Sequence, residues 1–273
     1  IDNSGNVYVT GYTKESATDY DITTLKYSPT GALVWATSFD NVAVSGEDKG
    51  AKLLLDASTN IYVSGYVDRD ATASLNEDVV LLKYNNLGTL QWSKQYNGTG
   101  NGKDVPNGMI YLNSAKIVVS GSTFNGTDQD ALTLEFSASG TQLWAKSYDG
   151  GNGDEKTTGI VSDASENIYI AGRTFNGTDN DLLCVQYSVS GTQNWVYTLD
   201  GVNGDDEINA ITRDTYGGLY LAGNSSNGNN SDVILVRLAN TGSELWHQTL
   251  DGQGQLNDLA TSLFFDANNY IVV

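Results

Sequence analysis

Five tryptophans, Trp35, Trp92, Trp144, Trp195 and Trp246, each stand four residues after a glycine in the pattern G-x-x-x-W, and successive ones lie 57, 52, 51 and 51 residues apart. A chain of 273 residues with one period near fifty is an array. Each unit is then a small supersecondary element that buries its apolar faces only against its neighbours. Function on such a chain has to be sought on a ring or stack of repeats.

The rest of the unit keeps the same register. An aspartate opens an apolar run ahead of each tryptophan: Asp21 in DITTLKY, Asp78 in DVVLLKY, Asp130 in DALTLEF, Asp181 in DLLCVQY and Asp232 in DVILVRL. Earlier comes a segment ending in glycine, at Gly11, Gly65, Gly121, Gly172 and Gly223, and before that a short run closed by a turn such as LLLDASTN. Four runs separated by Gly, Asn, Asp and Ser read as four strands joined by tight turns. None has the 3.6-residue period of a helix. The repeats fall at 1–47, 48–103, 104–154, 155–205 and 206–257, with a partial one at 258–273.

The third strand is apolar on both faces except at Lys26, Lys83, Glu135, Gln186 and Arg237, so it belongs between neighbouring sheets. The fourth alternates, with Trp144 and Tyr148 facing one way and Ala145 and Ser147 the other, and its lysines Lys94 and Lys146 suit an outer edge. Repeated four-stranded antiparallel sheets of graded burial describe an all-β fold, the blades of a β-propeller. The tryptophans are expected between adjacent blades, burying a large apolar area each.

The unit D-x-x-G-N-x-Y-V-x-G, followed by D-x-x-x-x-K-Y-S-x-x-G-x-x-x-W, resembles the SBBP repeat, the family named for seven-bladed β-propellers in secreted and surface-attached prokaryotic proteins. It is read from Asp2 to Gly11 and Asp21 to Trp35, then four more times to Trp246. The resemblance implies an extracellular or cell-surface location and transfers no catalytic residues. The third unit departs from the pattern: Asn113 stands where the turn aspartate belongs, in a turn one residue shorter. A fainter similarity links G-x-x-x-W to the tryptophan-docking motif of quinoprotein dehydrogenases, where it is structural. Residues 1–9 and 265–273 share a phase inside the second strand. Either five blades close as a ring, with the strand around Leu263 completing the sheet of residues 6–39, or the chain is part of a six- to eight-bladed ring in a longer polypeptide with other domains; the surplus second strand at 270–273 favours the larger ring.

With 33 acidic against 14 basic residues, the net charge of −19 argues against nucleic acid and anionic membrane surfaces as partners. No stretch is apolar enough to span a membrane. The single cysteine, Cys184, occupies a column filled elsewhere by Thr24, Leu81, Thr133 and Leu235, which makes it a core residue. His247 is the lone histidine, on the edge strand in a column otherwise holding Ala36, Ser93, Ala145 and Val196. Neither a nucleophile–histidine pair nor a Cys/His zinc site is indicated.

What recurs is carboxylate. Besides the column from Asp21 to Asp232, a second runs through Asp48, Asp104, Glu155, Asp206 and Asp258, ahead of the first strand in loops such as DGGNGDE. Because strands alternate in direction, both columns should line one face. Carboxylates among Gly- and Asn-rich loops are the hard oxygen donors Ca²⁺ takes. The calcium candidates are Asp128, Asp130, Asp154, Asp179, Asp181, Asp205 and Asp206, and no other cofactor is indicated. The alternative, which recurrence in every unit favours, is that each aspartate braces its own loop through backbone amides.

Three function classes follow. The first is a non-enzymatic module whose loop face binds a protein or glycan. The second is a structural spacer in a surface polypeptide. The third is a carbohydrate-active enzyme, a glycosidase or lyase, with paired carboxylates at a channel mouth. Uniform repeats without an unmatched acid, base and nucleophile favour the non-enzymatic classes. The longest irregular loops, at 39–50 and 67–78, are where a specific ligand is expected.

Overall fold

A computed structural model of the protein describes residues 1–16, 19–41, 46–69, 76–202, 204–214, 216–254, 256–266 and 270–273. The central parts of both irregular loops, 42–45 and 70–75, lie outside the described residues. The first repeat gives a three-stranded sheet of β1 (Val7–Lys14), β2 (Tyr20–Tyr27) and β3 (Leu33–Phe39). Four four-stranded antiparallel sheets follow, each with its strands in chain order. They are β4 (Lys49–Leu55), β5 (Ile61–Asp68), β6 (Glu77–Tyr84) and β7 (Leu90–Tyr96); β8 (Val105–Tyr111), β9 (Lys116–Phe124), β10 (Gln129–Ser137) and β11 (Gln142–Tyr148); β12 (Lys156–Ser162), β13 (Ile168–Phe175), β14 (Asn180–Tyr187) and β15 (Gln193–Leu199); and β16 (Glu207–Arg213), β17 (Leu219–Ser226), β18 (Ser231–Leu238) and β19 (Glu244–Leu250). A two-stranded sheet of β20 (Phe264–Phe265) and β21 (Ile271–Val272) comes last.

The chain forms two compact units, residues 1–127 with 135–143, and residues 128–134 with 144–273. In the first, Ile22 and Tyr8 pack with Val63, Val80 and Leu82 between the first two sheets, and Trp35 and Phe39 close the cluster. In the second, Ala171, Leu182 and Cys184 pack with Ile208, Leu221 and Val236, beside Trp195 and Tyr197. The second and third strands are the buried ones: β5, β6, β9 and β14 are buried along almost their whole length. Alternating β7 and β15 lie at the sheet edges, as their half-polar sequences require.

Two rows of glycine fix this geometry for different reasons. Opposite each second-strand glycine the first strand carries a bulge, between Gly50 and Lys52, Pro106 and Gly108, Thr157 and Gly159, and Ile208 and Ala210. The bulge drives a carbonyl inward, so a Cβ at Gly65, Gly121, Gly172 or Gly223 would overlap the carbonyl oxygen of Lys49, Val105, Lys156 or Glu207. At Gly11 nothing approaches within 4 Å.

The second row is the glycine of G-x-x-x-W. Gly31, Gly88, Gly140, Gly191 and Gly242 all close the turn between third and fourth strands with φ between 79° and 83°. Each of the last four also receives the tryptophan of the preceding repeat: a Cβ there would stand 2.8 Å from Trp35, 2.9 Å from Trp92, 2.8 Å from Trp144 and 2.5 Å from Trp195. Three indoles add a hydrogen bond to the same turn, Trp35 Nε1–H to the Asn86 carbonyl at 3.2 Å, Trp92 to Ala138 at 3.3 Å and Trp195 to Asn240 at 3.0 Å. The Trp144 Nε1 is buried and makes none. All five tryptophans are half-buried, and Trp35, Trp92, Trp144 and Trp195 each offer a ring face to the turn of the following repeat.

The third hairpin corrects the sequence reading. Its turn has the same length as the others: Leu112 N–H donates to the Lys116 carbonyl and Ala115 N–H to the Leu112 carbonyl, as Asp56 does with Asn60 and Thr59 with Asp56. Leu112, not Asn113, stands in the aspartate's place. Elsewhere that aspartate accepts from two turn amides and a tyrosine hydroxyl, with an asparagine side chain in all but the fifth repeat, as Asp163 does from Ser165, Asn167 and Tyr169. In the third repeat Leu112 and Val118 remove both ends of this network. Lys116 instead pairs with the buried Glu135 at 3.0 Å.

Two alanine variants separate the roles of the turn glycine. Gly31→Ala meets only the backbone penalty of a positive φ, about 1 kcal/mol, since nothing lies within 4 Å of its Cβ. Gly191→Ala must also displace the Trp144 ring, adding roughly 1–3 kcal/mol. Urea denaturation should resolve this difference, and equal losses would show that indole docking does not hold the repeats together.

Candidate functional site

The loops that join second to third strands, and each sheet to the next, carry the acidic residues. Among the described residues four groups bring one carboxylate oxygen from each of three side chains within 4.8 Å of one another: Asp19, Asp21 and Asp40; Asp130, Asp149 and Glu155; Asp179, Asp181 and Asp200; Asp232, Asp251 and Asp258. Three calcium candidates, Asp130, Asp179 and Asp181, are brought into these groups. Asp128, Asp154, Asp205 and Asp206 are not. Asp154 accepts the Gln129 N–H at 2.9 Å, and Asp205 accepts the backbone and side-chain amides of Asn180.

Sequence reasoning missed a third acidic row, at the end of the fourth strand: Asp40, Asp149, Asp200 and Asp251. Its signal was present as one acid after each edge strand, with Asn97 in the second repeat as the exception. In that repeat Arg69 instead meets Asp78 at 3.3 Å.

The acids ahead of the first strands are buried at Asp48, Asp104, Glu155 and Asp206 and half-buried at Asp258, and they work as braces. Asp48 accepts the Asn41 and Asp68 amides at 2.7 and 3.0 Å. Asp104 accepts those of Gly98 and Phe124 with the Thr123 hydroxyl, and Asp206 those of Gly201 and Ser226. Each ties its loop to the end of the second strand. Burial lifts Asp48 and Asp181 to about 6, and Asp78 and Glu155 to about 7.

A different row sits one residue past each second-strand glycine: Tyr12, Tyr66, Ser122, Arg173 and Asn224. Lys49 Nζ lies 5.2 Å from the Tyr12 ring and 4.9 Å from that of Tyr20, and Lys103 Nζ lies 5.8 Å from Tyr66. In the second unit an open cleft of about 390 Å³ is lined by Gly153, Asp154, Arg173, Phe175 and Asn180. Arg173 reaches Glu207 at 3.4 Å, and Lys156 meets the same carboxylate.

The other candidates take structural places. Cys184 is fully buried, which pushes its thiol pKa up and removes it as a nucleophile. His247 is exposed on its edge strand but has an acid partner that the sequence did not reveal: Nδ1 lies 2.8 Å from Glu244, which also accepts the Tyr197 hydroxyl at 2.7 Å. This trio has no enclosing pocket among the described residues.

No protein-family model matches the chain, and no curated protein sequence does. Solved structures do match in fold. A protein of unknown function from Bacteroides caccae aligns with TM-score 0.51 and 12% identity over 95% of this chain and 80% of its own. An ulvan lyase of polysaccharide lyase family PL25 aligns with 0.51 and 12% over 92% and 68%. PorZ, a surface component of the type-IX secretion system of Porphyromonas gingivalis, aligns with 0.52 and 12% over 98% of this chain and 37% of its own. With sheets of this order, the chain has the β-propeller blade architecture shared by surface proteins and carbohydrate-active enzymes.

The raised carboxylates set a pH dependence with a definite sign. A folded pKa of about 7 for Asp78 exceeds the unfolded value of about 4. Its stabilising contribution is therefore complete below the unfolded value and is lost as pH rises through 7. Self-repulsion within a chain of net charge −19 acts in the same direction. The melting temperature should rise as pH falls from about 8 to about 5, and Asp78→Asn should flatten part of the slope; a melting temperature that climbs with pH would contradict this.

Proposed function

We propose that this chain is a non-catalytic binding module of an extracellular or cell-surface protein, of the SBBP-repeat kind, that recognises a protein or glycan through the residues beside its second-strand glycines. One observation carries this reading. The framework positions recur in kind, with tryptophan docked on glycine and a buried acid bracing each loop. The row next to them does not: Tyr12, Tyr66, Ser122, Arg173 and Asn224 differ in size, charge and aromaticity on one scaffold. Variation on a fixed frame is how loops on rigid scaffolds carry recognition. Tyrosine rings and a guanidinium beside Phe175 offer stacking faces and a directional donor. PorZ, described as a bacterial surface component, supports the location. The acidic balance keeps nucleic acid outside this reading.

The enzymatic alternative has one observation of its own. Asp181, lifted to about 6 by burial, lies beside Asp179 and Asp200, a setting for a proton donor, and the ulvan lyase shares the fold. Screening the purified chain against glycan and protein arrays, and against polyuronides for turnover, separates the two. The binding reading expects a ligand retained without turnover and weakened about tenfold or more by Arg173→Ala or Tyr66→Ala at unchanged melting temperature. Turnover that Asp181→Asn abolishes would replace it with the enzyme reading.

A further inference from the structure

We propose that Asp130, Asp149 and Glu155 form a calcium site that the corresponding acidic groups of the other repeats do not reproduce. One oxygen from each carboxylate lies within 4.8 Å of the others, with Asp130 and Glu155 buried and Asp149 open to solvent. Grouped acids alone would not distinguish it from the other three. Glu155 does.

In the same place, Asp48, Asp104 and Asp206 each commit both carboxylate oxygens to backbone amides, and the half-buried Asp258 accepts the Gly252 amide at 2.6 Å. Glu155 takes the Thr174 hydroxyl on Oε1 at 2.8 Å and is bonded by the Gly150 backbone amide, while Oε2, sealed from solvent on a residue that is 0% exposed, has no hydrogen-bond partner. A buried carboxylate oxygen without a donor is costly, and it lacks what a cation supplies. Asp258 enters the equivalent group with Asp232 and Asp251 but is only half-buried, so full burial and the unpartnered oxygen are what set Glu155 apart. Asp149 is itself held by the Gly151 N–H at 2.6 Å.

The donors are all carboxylate oxygens, and the open side at Asp149 leaves room for water ligands. That suits Ca²⁺, which accepts six to eight oxygens in adaptable geometry, better than Mg²⁺ with its near-ideal octahedron. This inference stands apart from the binding-module reading and survives or fails without it.

Titration calorimetry of the whole chain with calcium chloride tests it. One equivalent should bind with a dissociation constant in the range of extracellular modules, about 10⁻⁴–10⁻³ M or tighter, with a matching rise in melting temperature. Glu155→Gln and, separately, Asp149→Asn should each weaken it at least about tenfold. Asp149 is exposed, so its variant reads the site even if Glu155→Gln folds poorly. Asp200→Asn, the corresponding change in the next repeat, should leave this equivalent intact. Absence of calcium binding at about 10 mM, or an isotherm that Asp149→Asn leaves unchanged, would overturn the assignment.

Discussion

The docking of an indole on a glycine of the following repeat is the contact on which the rest of each unit depends. Short antiparallel sheets have little stability alone, and stacking is what buries their third strands. The turn glycine meets two demands at once, a backbone conformation near φ 80° and a surface flat enough for a ring at 2.5–2.9 Å from where a Cβ would be. Any side chain fails the second even where it tolerates the first. The motif G-x-x-x-W thus holds both halves of a connector, the glycine receiving from behind and the tryptophan reaching ahead.

Around that contact, acid chemistry organises the loops. Aspartates at the hairpins between first and second strands accept turn amides, and against the pull of burial such bonds from Asn167 and Tyr169 hold Asp163 low. Acids ahead of the first strands do similar bonding in a drier place and are pushed the other way. One residue type therefore does two electrostatic jobs, set by the balance of burial against hydrogen bonds.

Much of this was legible in the sequence because repetition acts as its own control. Strand order, the buried third strand and the core role of Cys184 follow from columns that could be compared within one chain. The row from Asp40 to Asp251 went unread because Asn97 interrupts it and because a residue ending an edge strand looks like any solvated acid. The second-strand glycines were seen as a pattern without a cause; the cause is a bulge in the partner strand, which no local residue choice announces. The third hairpin was misread because Asn113 resembles a turn residue, while Leu112 gives no polar signal in the place it occupies.

The charge reversal in the third repeat has a consequence for how the chain finds its register. In the other repeats the third strand offers Lys26, Lys83, Gln186 or Arg237 to a tyrosine directly across, at Tyr8, Tyr62, Tyr169 and Tyr220. Repeats this similar invite strands to exchange partners during folding. A third-repeat second strand laid against the third strand of another repeat would set Lys116 near Lys83 or Arg237 in place of Glu135. The half-buried Lys116 and buried Glu135 thus give one hairpin in a run of near-copies a charge pair that the other hairpins lack at this register, the kind of difference that can mark one partner among many.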